Sequence, residues 1–218
     1  LADLMEDGIR APRVFQEYGT KKILVMEFIA GVSLAQIISN KAVVLGFDGK
    51  EAVKKLLRNL LECTHVYGFF HADPHPANVI ATKEGELVLI DWGIAGRLSK
   101  KERILLLKYI RSTLTGDINQ SFEAIVSLCS FTNNANLEQA KQAYSKVFDN
   151  LQTTFSASTY LEQQKLSNPL LMNGLNTLQS YGFVLPVSVV RYFKAFEIIE
   201  GLIFALYPDL QPKELVGE

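Results

Sequence analysis

Between Phe69 and Gly93 the chain reads Phe-Phe-His-Ala-Asp-Pro-His-Pro-Ala-Asn, then Val-Ile-Ala, a charged turn, and Leu-Val-Leu-Ile-Asp-Trp-Gly. His71, Asp73, His75 and Asn78 thus share one proline-stiffened loop, and a second carboxylate, Asp91, stands at the end of an apolar run. These residue types suit phosphate-and-metal chemistry. Phosphoryl transfer asks a protein mainly to position a nucleophile, hold magnesium and neutralise charge on the transferred group. Asp73 can accept a hydroxyl proton or orient the nucleophile, whereas Asn78 and Asp91 offer hard oxygen ligands of the kind Mg²⁺ prefers. The interval from Asn78 to Asp91 fits a strand-turn-strand that returns to its origin and sets the two oxygens side by side.

The elements that must hold these groups can be taken in order. Leu1–Asp7 is predicted to be the tail of a helix stopped by Gly8. Two strands, Arg13–Tyr18 and Lys22–Ile29, are expected to form a hairpin turning at Gly19-Thr20. Ser33 caps a short helix to about Ser39, and a loop with Gly46, Asp48 and Gly49 leads into a long helix over Lys50–Tyr67. Its apolar positions Val53, Leu56, Leu57, Leu60 and Leu61 follow the helical period, and Gly68 ends it. Two short strands flank the turn at Glu84-Gly85, near Val79–Ala81 and Glu86–Ile90. From Ser99 onward nothing looks extended: Ser99–Leu114, Asp117–Ser130, Leu137–Leu151, Tyr160–Lys165, Leu170–Tyr181 and Val187–Tyr207 all carry helical periodicity.

Composition bounds the rest. With 218 residues, 48% hydrophobic and 21% charged, the chain can bury one substantial core. A net charge of -1 gives no field that would recruit nucleic acid or an anionic membrane. Cys63 and Cys129 show no CxxC spacing and sit in helical segments, which points to reduced thiols and a reducing compartment. No signal-type segment opens the chain, and no apolar run approaches the ~20 residues of a spanning helix. Leu1 is not an initiator methionine, consistent with a processed or excised piece of a longer protein.

The order His71-x-Asp73-x-x-x-x-Asn78, followed by Asp91-Trp92-Gly93, resembles the catalytic loop and metal-binding turn of the protein-kinase-like superfamily. Upstream, Leu24-Val-Met-Glu-Phe-Ile-Ala-Gly31 looks like a kinase hinge. Within that superfamily, Gly68-Phe-Phe-His-Ala-Asp-Pro-His-Pro-Ala-Asn78 most resembles the UbiB atypical kinase family, which acts in coenzyme Q and related prenyl-lipid metabolism. Asp91-Trp-Gly-Ile-Ala-Gly-Arg-Leu-Ser99 runs straight into a helix, as in that family, and Ala205-Leu-Tyr-Pro-Asp-Leu210 resembles its closing element. Ala77 stands where the family usually has glycine, and Trp92 where it has phenylalanine.

The resemblance implies an α+β protein-kinase-like C-terminal lobe, mainly helical, with a hinge hairpin and two short strands flanking the metal site. It divides the chain into an N-terminal-lobe remnant and hinge over 1–31 and a helical lobe over 32–218. It implies ATP and Mg²⁺ as cofactors, Asp73 as base, Asn78 and Asp91 as metal ligands, and Met26 as gatekeeper beside the adenine. The adenine contacts fall to the Glu27 carbonyl and the Ile29 N–H. No glycine-rich loop, strand lysine with its glutamate partner, or Lys-x-Gly-Gln motif occurs, so the N-terminal lobe is expected from a full-length chain. A prenyl lipid or membrane surface is the implied partner besides nucleotide, on a cytoplasmic or organelle-matrix face.

Several residues admit a second role. His75 occupies the position of the catalytic-loop lysine of many protein kinases, so it either neutralises a phosphate or braces the loop; His71 either takes part in chemistry or braces the Asp91 turn beside Trp92. His65, the Lys100–Arg103 charge run and the Phe193, Phe196, Ile199, Leu202, Phe204 series are expected to be ordinary helix surface and core. Two rival functions remain: a small-molecule kinase of the aminoglycoside phosphotransferase and choline kinase type, which shares the Ile90-Asp-Trp-Gly93 motif, and a non-catalytic pseudokinase-like module. Phe69-Phe70, Pro74 and the Ala205–Asp209 ending favour the UbiB reading over the first.

Overall fold

The computed structural model describes residues 9–40, 44–157 and 174–207. The helix tail at Leu1–Asp7, the Tyr160–Lys165 segment and the chain end beyond Tyr207 lie outside them. The chain forms two compact units, one comprising Leu1–Arg97 with Arg191–Glu218, the other Leu98–Val190.

The first unit is built on a four-stranded sheet. Its strands are β1 (Ile9–Arg10), β2 (Gly31–Ser33), β4 (Val79–Thr82) and β5 (Leu87–Leu89), in the order β1-β5-β4-β2. β4 and β5 pair antiparallel, with Val79 opposite Leu89, which is the strand-turn-strand expected from the sequence. β1 joins β5 in parallel through Ile9 and Leu87. Ser33 ends β2 and caps α1 (Leu34–Ile38) through a reciprocal box with Gln36. Asp48 caps α2 (Gly49–Glu62) by accepting from the Lys50 and Glu51 N–H groups, and Ala52, Val53, Leu56 and Leu60 turn inward. The helix widens into a π turn, Cys63–Tyr67, before Gly68 stops it at φ 71°. A left-handed residue lets the chain reverse directly into β3 (Phe69–His71), at little steric cost only for glycine.

β3 and its antiparallel partner β6 (Ala95–Arg97) were not legible in the sequence. Their register sets Phe70 opposite Gly96 and His71 opposite Ala95. Phe70 is fully buried, and a methyl group on Gly96 would overlap its ring, so glycine at 96 is what allows the two strands to close over an aromatic side chain. From Arg191 onward, α7 (Val187–Leu206) buries Phe193, Ile199 and Leu202 of the expected series in this unit, leaves Phe196 and Phe204 half-buried, and adds buried Tyr192, which that series did not include. Tyr192 meets Phe70 edge-on at 6.0 Å and His65 at 5.7 Å, which gives His65 a packing role.

The expected hairpin at Arg13–Ile29 forms only in part. Antiparallel bridges join Val14 to Met26 and Thr20 to Ile23, but Gln16–Tyr18 winds into a 3₁₀ turn instead of extending. Val14, Tyr18, Ile23, Leu24 and Met26 are all exposed within this unit, so no buried face holds the strands flat.

The second unit is helical, with α3 (Lys100–Leu114), α4 (Ile118–Val126), α5 (Leu137–Ala157) and α6 (residues 174–180). Ser99 and Glu102 form a capping box at α3, and Glu102 also accepts from the Ser188 hydroxyl at 2.6 Å, so this member of the charge run is not simply solvated. Tyr144 is fully buried with its hydroxyl 2.9 Å from Ser121, which lies 2.8 Å from the Thr113 hydroxyl. Two-residue strands β7 (Ser130–Phe131) and β8 (Phe183–Val184) pair antiparallel, so extended structure does occur after Ser99. Both cysteines are free thiols, and burial raises both pKa values, that of Cys129 to about 11.

Gly96→Ala is expected to destabilise the first unit by ~1–3 kcal/mol through overpacking against Phe70. A urea denaturation midpoint unchanged from the parent would contradict this account of the β3–β6 pair.

Candidate functional site

The loop from His71 to Asp91 is fixed mostly by its own backbone. Ala72 N–H donates to the Ile94 carbonyl at 3.1 Å, tying the loop's start to the chain just before β6. Pro74 is buried, and Pro76 opens a single 3₁₀ turn, Pro76–Asn78, where its fixed φ costs nothing and its missing N–H is not needed. Asn78 N–H donates to the His75 carbonyl at 2.7 Å, and its Nδ2 donates to the Asp73 carbonyl at 3.1 Å. Ile90 N–H then donates to the Asn78 carbonyl at 2.9 Å. The β4–β5 hairpin therefore returns its far end to the residue where it began, and Asp91 follows directly.

Asp91 adopts φ 55°, a left-handed conformation uncommon outside glycine, and its Oδ1 accepts from Gly93 N–H at 3.3 Å. Trp92 Nε1 donates back to the Leu89 carbonyl at 2.8 Å. Its ring stacks on Phe69 at 5.9 Å and meets the His71 ring at 4.6 Å, while Arg97 lies over the other aromatic partner, Phe69, at 4.9 Å. Trp92 is thus a packing residue of the Asp91 turn.

His71 joins the two halves. Its Nδ1 accepts from Asp73 N–H at 3.2 Å, and its Nε2 lies 3.0 Å from the Ile90 carbonyl, which can only accept. The ring is therefore a neutral imidazole with its proton on Nε2. Burial pushes its pKa below the usual 6.5, against opposing contributions from the Ile90 carbonyl and the carboxylates of Asp73 and Asp91. The structure makes His71 a brace.

The structure brings Asp73, Asn78 and Asp91 to one loop cluster, with Asp73 and Asn78 half-buried and Asp91 exposed. His75 is exposed, and its Nδ1 accepts from Ala77 N–H at 3.3 Å, so its ring is tied back onto the loop. Ala77 has a negative φ, so glycine is not required there. Met26 is exposed, and Glu27 N–H donates to the Arg13 carbonyl at 2.8 Å. Among the described residues neither the Glu27 carbonyl nor the Ile29 N–H has a hydrogen-bond partner. The Glu27 carboxylate takes a two-pronged contact from Arg10 at 2.8 and 3.0 Å and the Arg13 N–H at 3.0 Å, which hold its pKa below the usual carboxylate value.

The donor set can be tested against magnesium and nucleotide. With Nδ2 spent on the Asp73 main-chain carbonyl, the amide oxygen of Asn78 is the atom left for a cation, and the Ile90–Asn78 backbone bond returns the chain so that Asp91 follows directly. Among the described residues no three His, Cys, Asp or Glu side chains converge into a closed site. An amide and a carboxylate suit Mg²⁺, which fills its remaining positions with water and phosphate oxygens. Sequence reasoning missed three basic residues here: Arg10, Arg191, which donates to the Ala95 carbonyl at 3.0 Å, and Lys194, whose Nζ lies 3.8 Å from Asp73 Oδ1. No local motif marks them.

A loop of this kind feeding an Asp-Trp-Gly turn, on a mixed α and β scaffold, defines a kinase-like protein. The chain belongs to the ABC1 atypical kinase-like family, whose domain model matches residues 3–125. It is 28% identical over 213 residues to the Protein ACTIVITY OF BC1 COMPLEX KINASE 3, chloroplastic, of Arabidopsis thaliana, covering 96% of this chain and 28% of that protein. It is 29% identical over 202 residues to a Clostridium pasteurianum protein from the hydrogenase 1 5' region, covering 93% of this chain and 36% of that one. The chain thus spans about a third of the length of these relatives. Among solved structures, the complex of Rv3197 with erythromycin from Mycobacterium tuberculosis shares the fold, with a TM-score of 0.54 at 15% identity, over 94% of this chain and 51% of that one. Among the described residues no helix is long and apolar enough to cross a membrane.

His71→Ala leaves the Ile90 carbonyl and the Asp73 N–H without their partner and is expected to cost ~1–3 kcal/mol. The pH dependence has a definite sign. Because the folded state holds His71 neutral, the unfolded state binds the proton first, and stability falls as pH drops below about 6.5. His71→Gln should flatten the part of that fall due to this residue, as read from urea midpoints at neutral and mildly acidic pH.

Proposed function

We propose that this chain carries an ATP- and Mg²⁺-binding site whose turnover is phosphoryl transfer or ATP hydrolysis, within coenzyme Q or related prenyl-lipid metabolism. The observation that supports it most directly is the hairpin closure. One backbone bond, Ile90 N–H to the Asn78 carbonyl, brings the main chain entering Asp91 back to Asn78, and one side-chain bond, Asn78 Nδ2 to the Asp73 main-chain carbonyl, ties Asn78 to the residue read as the base. Asn78 and Asp91 would hold the metal. When bound, Mg²⁺ neutralises charge on the phosphates and fixes their orientation. Asp73 accepts the proton of an attacking hydroxyl or water, or orients that nucleophile.

The segment Met26–Ile29 is the adenine-binding edge in this reading. The Arg10–Glu27 ion pair and the Glu27 N–H bond to the Arg13 carbonyl tie this segment to the start of the unit, and the Glu27 carbonyl and the Ile29 N–H would serve as acceptor and donor for the adenine. The lipid setting rests on the family and on the UbiB-type loop sequence, Phe69-Phe70-His71-Ala72-Asp73-Pro74.

Asp91→Asn in the full-length protein removes the charge and keeps the shape. Magnesium-dependent binding of a fluorescent ATP analogue is expected to weaken at least ~10-fold, and ATP turnover to fall by ~10²–10³. The same magnesium dependence in parent and variant would sink the proposal.

A further inference from the structure

We infer that Lys194, on α7, is the cation that meets the terminal phosphate of the nucleotide at this site, an assignment that rests on the nucleotide reading above. Three contacts from a single turn of one helix carry it. Arg191 donates to the carbonyl of Ala95, the residue directly opposite His71 in the β3–β6 register. Tyr192, buried, wedges its ring edge-on against Phe70. These two fix this part of α7 against the strand pair from which the catalytic loop departs. Lys194 then lies with Nζ 3.8 Å from Asp73 Oδ1, and Asp73 is its ion partner among the described residues.

That ion pair is poorly suited to a structural role. Its separation exceeds the hydrogen-bond range of about 2.7–3.2 Å, and the Lys194 side chain is 55% exposed, so it adds little to stability. It does suit a ligand role. A lysine ammonium is a compact charge with three donors on a flexible stem, and a phosphate entering beside Asp73 can recruit it without breaking a tight bond.

The loop's own candidate is less suited. His75 Nδ1 accepts from Ala77 N–H, which ties the ring back onto the loop and leaves only Nε2 to meet a ligand. A phosphate drawn in by Mg²⁺ at Asn78 and Asp91 would therefore find its second positive charge on α7. The position of Lys194 relative to Asp73 also places that charge at the group being transferred, distinct from the phosphates that stay behind.

The test compares Lys194→Met, Lys194→Arg and Asp91→Asn in the full-length protein. It reads Mg-ATP and Mg-ADP affinities by calorimetry, ATP turnover, and the melting midpoint. Lys194→Met is expected to weaken ATP about tenfold or more and to leave ADP within about twofold. It should slow turnover by about tenfold to a hundredfold while the melting midpoint stays close to that of the parent. Lys194→Arg should recover most of the ATP affinity. If ATP and ADP shift together in Lys194→Met, or neither shifts, while Asp91→Asn still abolishes magnesium-dependent binding, this assignment is wrong and the nucleotide reading stands. If the parent shows no magnesium-dependent ATP binding, both fall.

Discussion

One neutral imidazole holds the site together. His71 accepts from the Asp73 N–H at one nitrogen and donates to the Ile90 carbonyl at the other, and those two backbone groups belong to the two halves of the site. A carboxylate could not donate to the carbonyl, and a lysine could not accept from the amide. A neutral histidine does both, and burial keeps it neutral. The aromatic column of Phe69, Trp92 and His71 then prevents the ring from turning.

Around this brace the loop has little freedom left. The carbonyls of Asp73, His75 and Asn78 each accept a bond from within the segment, and Ala72 N–H is spent on Ile94. Main-chain bonds and the side chains of His71, His75, Asn78 and Asp91 together meet the loop's own hydrogen-bonding needs. The strain at Asp91, with φ 55°, falls where this closure is tightest.

The final helix does more than fill the core. Its aromatic residues bury against Phe70 and His65, while Arg191 and Lys194 leave the same segment toward the strand pair and the loop. Arg191 and Lys194, three residues apart, share one helix face while buried Tyr192 packs another, so the packing that seats Tyr192 also sets the direction of the two cations. This couples the stability of the unit to the geometry of its site.

The sequence by itself determined the chemistry-bearing segments, because their information is local. Pro76 and Asn78 set the 3₁₀ turn, Ser33, Asp48 and Ser99 mark helix starts, and Glu84-Gly85 turns the β4–β5 hairpin, each through hydrogen bonds a few residues apart. The spacing from His71 to Asp91 was enough to indicate the family. Tertiary structure decided the rest. The β3–β6 pair joins residues far apart in sequence and depends on Gly96 clearing the Phe70 ring, which no window of sequence displays. The Arg13–Ile29 segment carries strand-like residues, yet it extends only at isolated bridges because strand preference needs a buried face. Lys194 lies more than a hundred residues beyond Asp73, on a helix whose sequence reads as core, and only the fold brings its charge to the loop.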